Sequence, residues 1–185
     1  MAKNEVEDIM STREKTLSDA FYETLKDIYF AEKQIVKALK RSERVAQEPE
    51  LREAFETHRS ETMQHIERLN QVFEIIGKAP RSKTCEAMQG ILAEMEDDLE
   101  EFGGSEASDA VLIGTAQAIE HYEITRYGTL KTWAADLGLS DAEKLLDETL
   151  GEEKRTDSLL SEIAQQINNP QASAHQPERE TEGNT

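Results

Sequence analysis

The sequence predicts an all-α fold, a four-helix bundle built from two antiparallel helical hairpins, and three observations support this prediction. Apolar residues recur at helical spacing in five separate runs, and no run alternates in the manner of a strand. Glycine (9) and proline (4) are scarce among the 185 residues, which favours long helices over many turns. Hydrophobic residues make up 37% and charged residues 32%, a balance that suits one helical domain with its own core.

The first two predicted helices form one hairpin. The first runs from about residue 17 to 45, and its apolar stripe contains Leu17, Phe21, Leu25, Ile28, Val36 and Leu39. Pro49 then interrupts the helical pattern, and the second helix follows from about residue 50 to 76. Its stripe contains Leu51, Phe55, Thr62, Ile66, Leu69 and Phe73. Gly77 supplies a stop signal of the kind that commonly ends a helix.

Three further helices follow. A shorter one is predicted from about residue 85 to 102, where Gly103 and Gly104 end it. The fourth begins near Ser108 and Asp109, a pair typical of a helix cap, and stops near residues 137–138. The fifth runs from residue 140 to about residue 167. Their apolar positions are, in helix order, Met88, Ile91, Leu92, Met95 and Leu99; Val111, Ile113, Ala116, Ile124, Leu130 and Trp133; and Leu146, Leu150, Leu160, Ala164 and Ile167.

The lengths of the connections distinguish between bundle topologies. Short turns join the first helix to the second and the fourth to the fifth, so each pair forms an antiparallel hairpin. About 30 residues, including the shorter helix, separate the hairpins. One long crossover between two hairpins describes a ferritin-like four-helix bundle, and a simple up-down-up-down bundle fits less well. We expect a flexible N-terminus over residues 1–15, the bundle over 16–167, and a disordered acidic and polar tail over 168–185.

The charge and cysteine content exclude several functions. Lys plus Arg is 21 and Asp plus Glu is 39, so the net charge is −18, which opposes binding to nucleic acid. Solubility is the ordinary explanation of such a surface, and cations are its natural partners. Cys85 is the single cysteine, so neither an internal disulfide nor a thiolate zinc cluster can form. Without an apolar signal core or membrane span, we expect a cytoplasmic protein that binds no membrane.

Ionisable residues interrupt the apolar stripe of every long helix. Near the middle of the four helices, and therefore at a similar predicted depth, lie Glu32, Glu61, Glu120 and Glu153. Near them on the same faces lie His58, His65, Glu123 and Asp157. A single such residue is more often solvated beside the stripe, but the conjunction of four is unusual. Four buried carboxylates would repel one another, and bound metal removes that conflict. Carboxylates with some imidazole suit iron or manganese.

The pattern departs from the usual dimetal arrangement. Such a bundle uses one Glu from each of two helices and Glu-x-x-His from each of the other two. Here His58 precedes Glu61 by three residues, which reverses the motif, and the fifth helix offers Glu153 and Asp157 without a histidine. A second carboxylate in place of each missing imidazole would give an oxygen-rich site. Whether such a site is an enzyme, for example a ferroxidase or an oxygen- or peroxide-reactive centre, stays open, and no catalytic residue is assigned.

Four segments carry a family resemblance: AEKQIVKAL, AFETHRSETMQHIERL, AQAIEHYEITRYGTL and ETLGEEKRTDSLL. They resemble the YciE/YciF family of bacterial ferritin-like proteins over roughly residues 17–165. The resemblance implies a helical bundle related to rubrerythrin and bacterioferritin, a role in stress responses, and a homodimer. It also implies that Glu32, Glu61, Glu120 and Glu153 correspond to the ferritin-like carboxylates, and that His58, Glu123 and Asp157 are recurrent polar residues near them.

Three functions are compatible with these observations. The first is a dimetal protein with two iron ions per bundle, or manganese or zinc in their place. By ferritin-like precedent, Glu61 and Glu153 would bridge the ions and Glu32 and Glu120 would be terminal ligands, with Tyr127 or Tyr122 nearby as a hydrogen-bond donor or redox partner. The second is a non-enzymatic stress protein that acts by dimerisation and partner binding, with vestigial buried carboxylates. The third is simple metal storage.

Overall fold

The computed structural model describes residues 14–174, with side-chain environments for residues 14–167. It contains five helices: α1 (Leu17–Val45), α2 (Pro49–Ile75), α3 (Glu86–Phe102), α4 (Ser108–Asp136) and α5 (Ser140–Ala174). Within the described residues there is no strand, which confirms the predicted all-α class. None of the described helices is both long and apolar enough to cross a membrane.

The helices pack as two hairpins joined by a crossover. Helix α1 packs on α2, and α4 packs on α5. Across the bundle α2 meets α5 and α1 meets α4, while α3 in the crossover lies against α4. This is the predicted ferritin-like arrangement of four long helices with one shorter helix outside them. The four long helices therefore enclose one shared interior, and side chains from their middle turns point into it.

Local signals define the helix ends. Thr16 and Asp19 form a capping box at the start of α1, because the Asp19 amide donates to Thr16 Oγ1 (3.3 Å) and the Thr16 amide donates to Asp19 Oδ2 (2.9 Å). Pro49 opens α2 as its first residue, where its missing N–H is not needed. Gly77 ends α2 with a φ of +66°, a conformation that glycine adopts without a Cβ clash.

Asp109 does not cap α4, as the sequence predicted, but binds the turn that precedes α2. The sequence suggested that Ser108 and Asp109 start α4, but α4 has no side-chain cap. The buried Asp109 carboxylate instead accepts from the amides of Gln47 (2.9 Å) and Glu48 (2.7 Å), immediately before α2. Asp109 therefore ties the α1–α2 turn to the second hairpin, a role set by tertiary packing that no local pattern reports.

The buried faces differ from the predicted stripes by small rotations. At this turn of α1 the neighbouring residue Ile35 is fully buried, whereas the predicted Val36 is only half-buried. In α4 the predicted Val111, Ile124 and Trp133 are half-buried. The fully buried residues of α4 at these turns are Leu112, Ile119, Glu123, Tyr127 and Ala134. A helix advances about 100° per residue, so a one-residue error in the stripe moves a side chain from the core to its margin.

The fifth helix ends later in the structure than the sequence predicted. Helix α5 continues through residues 168–174, which the sequence placed in the tail. The loss of apolar spacing in the sequence therefore places the end of this helix too early. The rest of the predicted tail, residues 175–185, and residues 1–13 of the predicted flexible N-terminus lie outside the described residues.

Candidate metal centre

Six ionisable side chains from all four long helices meet in the middle of the bundle. None is more than 2% exposed. They are Glu32 of α1, His58 and His65 of α2, Glu120 and Glu123 of α4, and Glu153 of α5. Ionisable groups are rarely buried at this level unless they are paired or bind metal. The interior thus holds a polar centre surrounded by an otherwise apolar core.

Helical spacing explains why these residues face inward together. His58, Thr62 and His65 follow one another at intervals of four and three residues, and all three are buried on one face of α2. The Thr62 hydroxyl donates to the His58 backbone carbonyl (2.8 Å), so its hydrogen bond is made within α2. Glu120 and Glu123 are three residues apart on α4 and share a face in the same way.

The six side chains form two groups that share Glu153. The first group is His58, Glu120, Glu123 and Glu153, and the second is Glu32, His65 and Glu153. In each group one ligand atom from every residue lies within 4.8 Å of the others. Glu153 faces both groups with different atoms: its Oε2 lies 3.7 Å from His58 Nε2, and its Oε1 lies 3.0 Å from His65 Nδ1. A carboxylate with this orientation has the arrangement of a bridging ligand.

Most of the inward atoms have no hydrogen-bond partner. The buried atoms without one include both oxygens of Glu123 and of Glu153, one oxygen each of Glu32 and Glu120, His58 Nε2 and His65 Nδ1. The two histidine atoms lie 3.0 Å from carboxylate oxygens without hydrogen-bond geometry. Buried polar atoms are nearly always satisfied, so an unpartnered set of this size requires an explanation. The donor set of carboxylates and imidazoles therefore fits a metal.

The pKa values of the central side chains are strongly shifted. Burial, together with the negative charge of Glu153 and Glu32, raises the pKa of Glu123 well above its usual value. Burial also raises the pKa of Glu153 to about 7, against the opposing effect of the two histidines. Burial alone would lower the pKa of His65, but Glu153 and Glu32 outweigh it and raise that pKa to about 10. For His58, Glu120 likewise outweighs burial and raises the pKa. In the absence of metal, the two histidines and Glu123 therefore hold protons at neutral pH.

A second layer of polar contacts surrounds the centre. The Tyr127 hydroxyl donates to Glu32, as the sequence suggested it could, and burial next to Glu32 raises the Tyr127 pKa. The outward Nε2 of His65 lies 2.8 Å from Glu152 Oε2, and Arg68 contacts Glu152 in turn. The sequence analysis missed Glu152 and Arg68. Their charge suggested a solvated surface, and only the adjacency of Glu152 to Glu153 hinted otherwise.

Two predicted site residues lie outside both groups. The Glu61 side chain is 28% exposed, and its carboxylate is 3.8 Å from the outward Nδ1 of His58. Asp157 is 24% exposed and pairs with His121 (3.2 Å) and Gln117 (3.1 Å) instead. Each is one residue away from an inward position, Thr62 and Thr156 respectively, and so points about 100° off the centre. Glu123, expected at the margin of the stripe, lies in the middle of the site.

Tyr122, the second tyrosine expected near the site, lies elsewhere. Its hydroxyl is 2.8 Å from Sγ of the buried Cys85, which caps the start of α3 by accepting from the Met88 amide. Arg126 covers the Tyr122 ring at 5.0 Å. Burial and the contact with Cys85 raise the pKa of Tyr122. This pair joins the crossover helix to α4, and the Tyr122 hydroxyl contacts Cys85 rather than either group of candidate ligands.

Comparisons with known proteins cover nearly the whole bundle. The family described as "Domain of unknown function (DUF892)" matches residues 16–173. The chain is 46% identical over 157 residues to protein YciF of Escherichia coli (strain K12), covering 84% of this chain and 93% of that protein. The crystal structure of the E. coli stress protein YciF aligns with a TM-score of 0.81 and 43% identity, covering 84% of this chain and 99% of the other.

Two further solved structures share the fold. YcfI of Rhodopseudomonas palustris, a protein with a suggested structural role, aligns with a TM-score of 0.78 and 39% identity, covering 82% of this chain and 96% of the other. A protein of Xanthomonas campestris aligns with a TM-score of 0.69 at 21% identity, covering 88% of this chain and 100% of the other, which shows the fold alone. The resemblance carried by the four sequence segments is confirmed, and the six central residues lie within those segments of this chain.

Proposed function

The chain belongs to the DUF892 family, together with the stress protein YciF, and from this premise and its buried centre we propose that it binds two divalent metal ions inside the bundle. One observation carries the proposal. Six buried ionisable side chains aim unpartnered atoms into one interior, in two groups that share Glu153. A stress-response role is proposed from the relative's description as a stress protein.

Charge balance supports two ions rather than one. The centre contains four carboxylates, with a formal charge of −4 when all are ionised, and two histidines that are neutral as metal ligands. Two divalent ions contribute +4, so the loaded centre would be neutral. One ion would leave a net charge of −2 in an apolar interior, which would require further protons.

The residues divide naturally between two ions. His58, Glu120 and Glu123 would hold one, Glu32 and His65 the other, and Glu153 would bridge them. This assignment uses six of the eight predicted ligands and leaves out Glu61 and Asp157. Carboxylate oxygens with some imidazole favour iron or manganese, with zinc as the alternative. Iron bound in such a site would supply redox chemistry with oxygen or peroxide, whereas this chain's part is to hold the ligands, keep water out and fix Glu32 through the Tyr127 hydroxyl.

Metal analysis tests the proposal directly. Untagged protein purified from cells is assayed for iron, manganese and zinc, before and after anaerobic loading with ferrous iron. We expect about two ions per chain. Glu153→Ala should lose both ions, because Glu153 belongs to both groups. Asp157→Ala, on the same helix as Glu153, is the matched control and should retain full metal content. Near-zero metal in the unaltered protein after loading would refute the proposal.

Oxygen uptake separates an enzyme from a storage or structural site. The loaded protein is mixed with ferrous iron and oxygen consumption is recorded, with Glu120→Ala and a protein-free buffer as references. A rate well above that of the buffer, lost in Glu120→Ala, would establish a ferroxidase activity. A rate equal to that of the buffer in a protein that binds metal would leave storage or structure as the role of the ions.

One observation favours a second candidate function, a non-enzymatic stress protein that acts by dimerisation and partner binding. Neighbouring carboxylates raise the pKa of both central histidines, so two imidazolium groups can neutralise part of the centre without metal. The suggested structural role of the R. palustris relative agrees with this. Light scattering of metal-free protein, with thermal unfolding, tests it. A stable folded dimer that binds no metal favours this candidate, and unfolding on metal removal contradicts it.

A further inference from the structure

The outward side of His65 carries a contact chain that the proposed metal ligands do not explain. His65 Nε2 lies 2.8 Å from Glu152 Oε2, on the opposite edge of the imidazole ring from the inward Nδ1. Arg68 holds the same carboxylate with two nitrogens, Nη1 at 2.5 Å from Oε2 and Nη2 at 3.0 Å from Oε1. Adjacent residues of α5 therefore face opposite edges of one ring, with Glu153 inside and Glu152 outside.

Arg68 is itself held in place. Its side chain is only 11% exposed, and it donates to Thr149 Oγ1 (3.2 Å) and to Glu148 Oε1 (2.6 Å) in addition to Glu152. A two-nitrogen contact between guanidinium and carboxylate fixes the direction of both groups. Burial alone would raise the pKa of Glu152, but the hydrogen bonds from Arg68 and His65 lower it, so Glu152 stays an ionised acceptor. The α2–α5 interface thus presents a fixed anion to one nitrogen of His65.

The two central histidines differ in this respect. His58 turns Nε2 toward the centre, and its outward Nδ1 faces the Thr156 hydroxyl at 3.3 Å, with the partly exposed Glu61 carboxylate farther away at 3.8 Å. His65 turns Nδ1 toward the centre, and its outward nitrogen faces an ionised carboxylate. A carboxylate that accepts the outer N–H of a metal-bound imidazole fixes its tautomer and ring orientation and makes the inner nitrogen a stronger ligand. A neutral hydroxyl exerts the same effect more weakly.

We propose that Glu152, oriented by Arg68, is a positioning residue that keeps the proton of His65 on Nε2 and presents Nδ1 as the metal-binding atom. This inference rests on the proposed metal binding and extends it to residues outside the ligand set. Glu152 is not a ligand itself, because its carboxylate lies on the far side of the imidazole from Glu32 and Glu153. Its effect on the metal is exerted through His65.

Zinc binding to metal-free protein tests the proposal by titration calorimetry. Glu152→Ala should weaken zinc binding about 10- to 100-fold, the usual effect of losing such a partner. Glu152→Gln should weaken it less, because the amide oxygen can still accept from Nε2–H. Glu143→Ala, a half-buried glutamate near the start of α5, is the matched control and should bind zinc normally. Arg68→Gln leaves Glu152 charged but removes the two-nitrogen contact that orients it, so zinc binding should also weaken.

A nuclear magnetic resonance signature distinguishes positioning from simple helix packing. In the zinc-loaded, ¹⁵N-labelled protein, His65 should carry a slowly exchanging proton on Nε2 and none on Nδ1. Glu152→Ala should lose this slow exchange, and Glu152→Gln should retain part of it. A proton on Nδ1, or an unchanged zinc affinity in Glu152→Ala, overturns the positioning role while metal binding stands. Absence of zinc binding by the unaltered protein overturns both the inference and the proposed function.

Discussion

The protonation of His65 predicts that the metal-free protein loses stability as the pH rises above neutrality. Glu153 and Glu32 raise the folded-state pKa of this histidine from 6.5 to about 10. A raised pKa means that the folded state binds the proton more tightly than the unfolded chain does. The stabilisation is therefore fully present below pH 6.5 and is lost progressively between pH 6.5 and about 10.

The expected loss can be bounded. Each pH unit within that window is worth about 1.4 kcal/mol for one proton. The window from 6.5 to about 10 then corresponds to about 5 kcal/mol as an upper value. Glu153 acts in the same direction at lower pH, because its own pKa is raised from 4.5 to about 7 and its ionisation opposes folding within that range. A net loss of about 2–5 kcal/mol between pH 6.5 and 9.5 is expected, which is large against typical domain stabilities.

The assay is urea unfolding of chelator-treated protein at several pH values. His65→Gln removes the titrating group, so its unfolding free energy should vary less between pH 6.5 and 9.5 than that of the unaltered protein. Metal-loaded protein should show the opposite trend, because bound metal replaces the proton on the ring and binds more tightly as the pH rises. A metal-free profile that is flat or that rises with pH would refute the reasoning about His65.

Three further predictions concern stability. Tyr127→Phe removes a buried hydroxyl donor and should lower the unfolding free energy of the metal-free protein by about 1–3 kcal/mol, whereas Tyr29→Phe, where the ring packs on an aromatic neighbour, should change it less. Asp109→Ala removes the carboxylate that accepts from the Gln47 and Glu48 amides and should cost about 1–3 kcal/mol, with faster hydrogen exchange at the α1–α2 turn; unchanged exchange would contradict this. Gly77→Ala should destabilise by about 1 kcal/mol because its φ is +66°, whereas Gly114→Ala, in a helix with open space around it, should stabilise by up to about 1 kcal/mol; thermal unfolding of both variants checks the opposite signs.

The helices and their topology were predictable because they depend on local and periodic signals. Apolar spacing and the stop at Gly77 act within a few residues, so one sequence suffices to read them. The long crossover then made a simple up-down-up-down bundle the poorer fit. Asp109 shows where this reasoning ends. Its partners are about 60 residues away, and nothing in its local sequence shows whether Asp109 caps α4 or binds the turn before α2.

The candidate site was predicted in part for a related reason. Glu32, Glu120 and Glu153 lie near the centres of their stripes, so small rotational errors leave them inside. Glu61 and Glu123 lie near the margins, where a rotation of one residue decides between solvent and core. The predicted stripe of α2 contained Thr62, with His58 and His65 on the same face and Glu61 at its edge, and this is the face that packing buries. Only the angle at which the helices pack settles such positions.

The place of Glu153 in the last helix has a consequence for how the protein matures. Glu153 belongs to both groups of candidate ligands, and it is the only described contribution of α5 to either. During synthesis α1, α2 and α4 leave the ribosome before α5 does, so each group lacks a member until the final helix has docked. A bundle truncated before residue 140, or one whose fifth helix detaches, contains neither group intact. Completion of the centre would therefore report that synthesis has passed α5 and that this helix has docked.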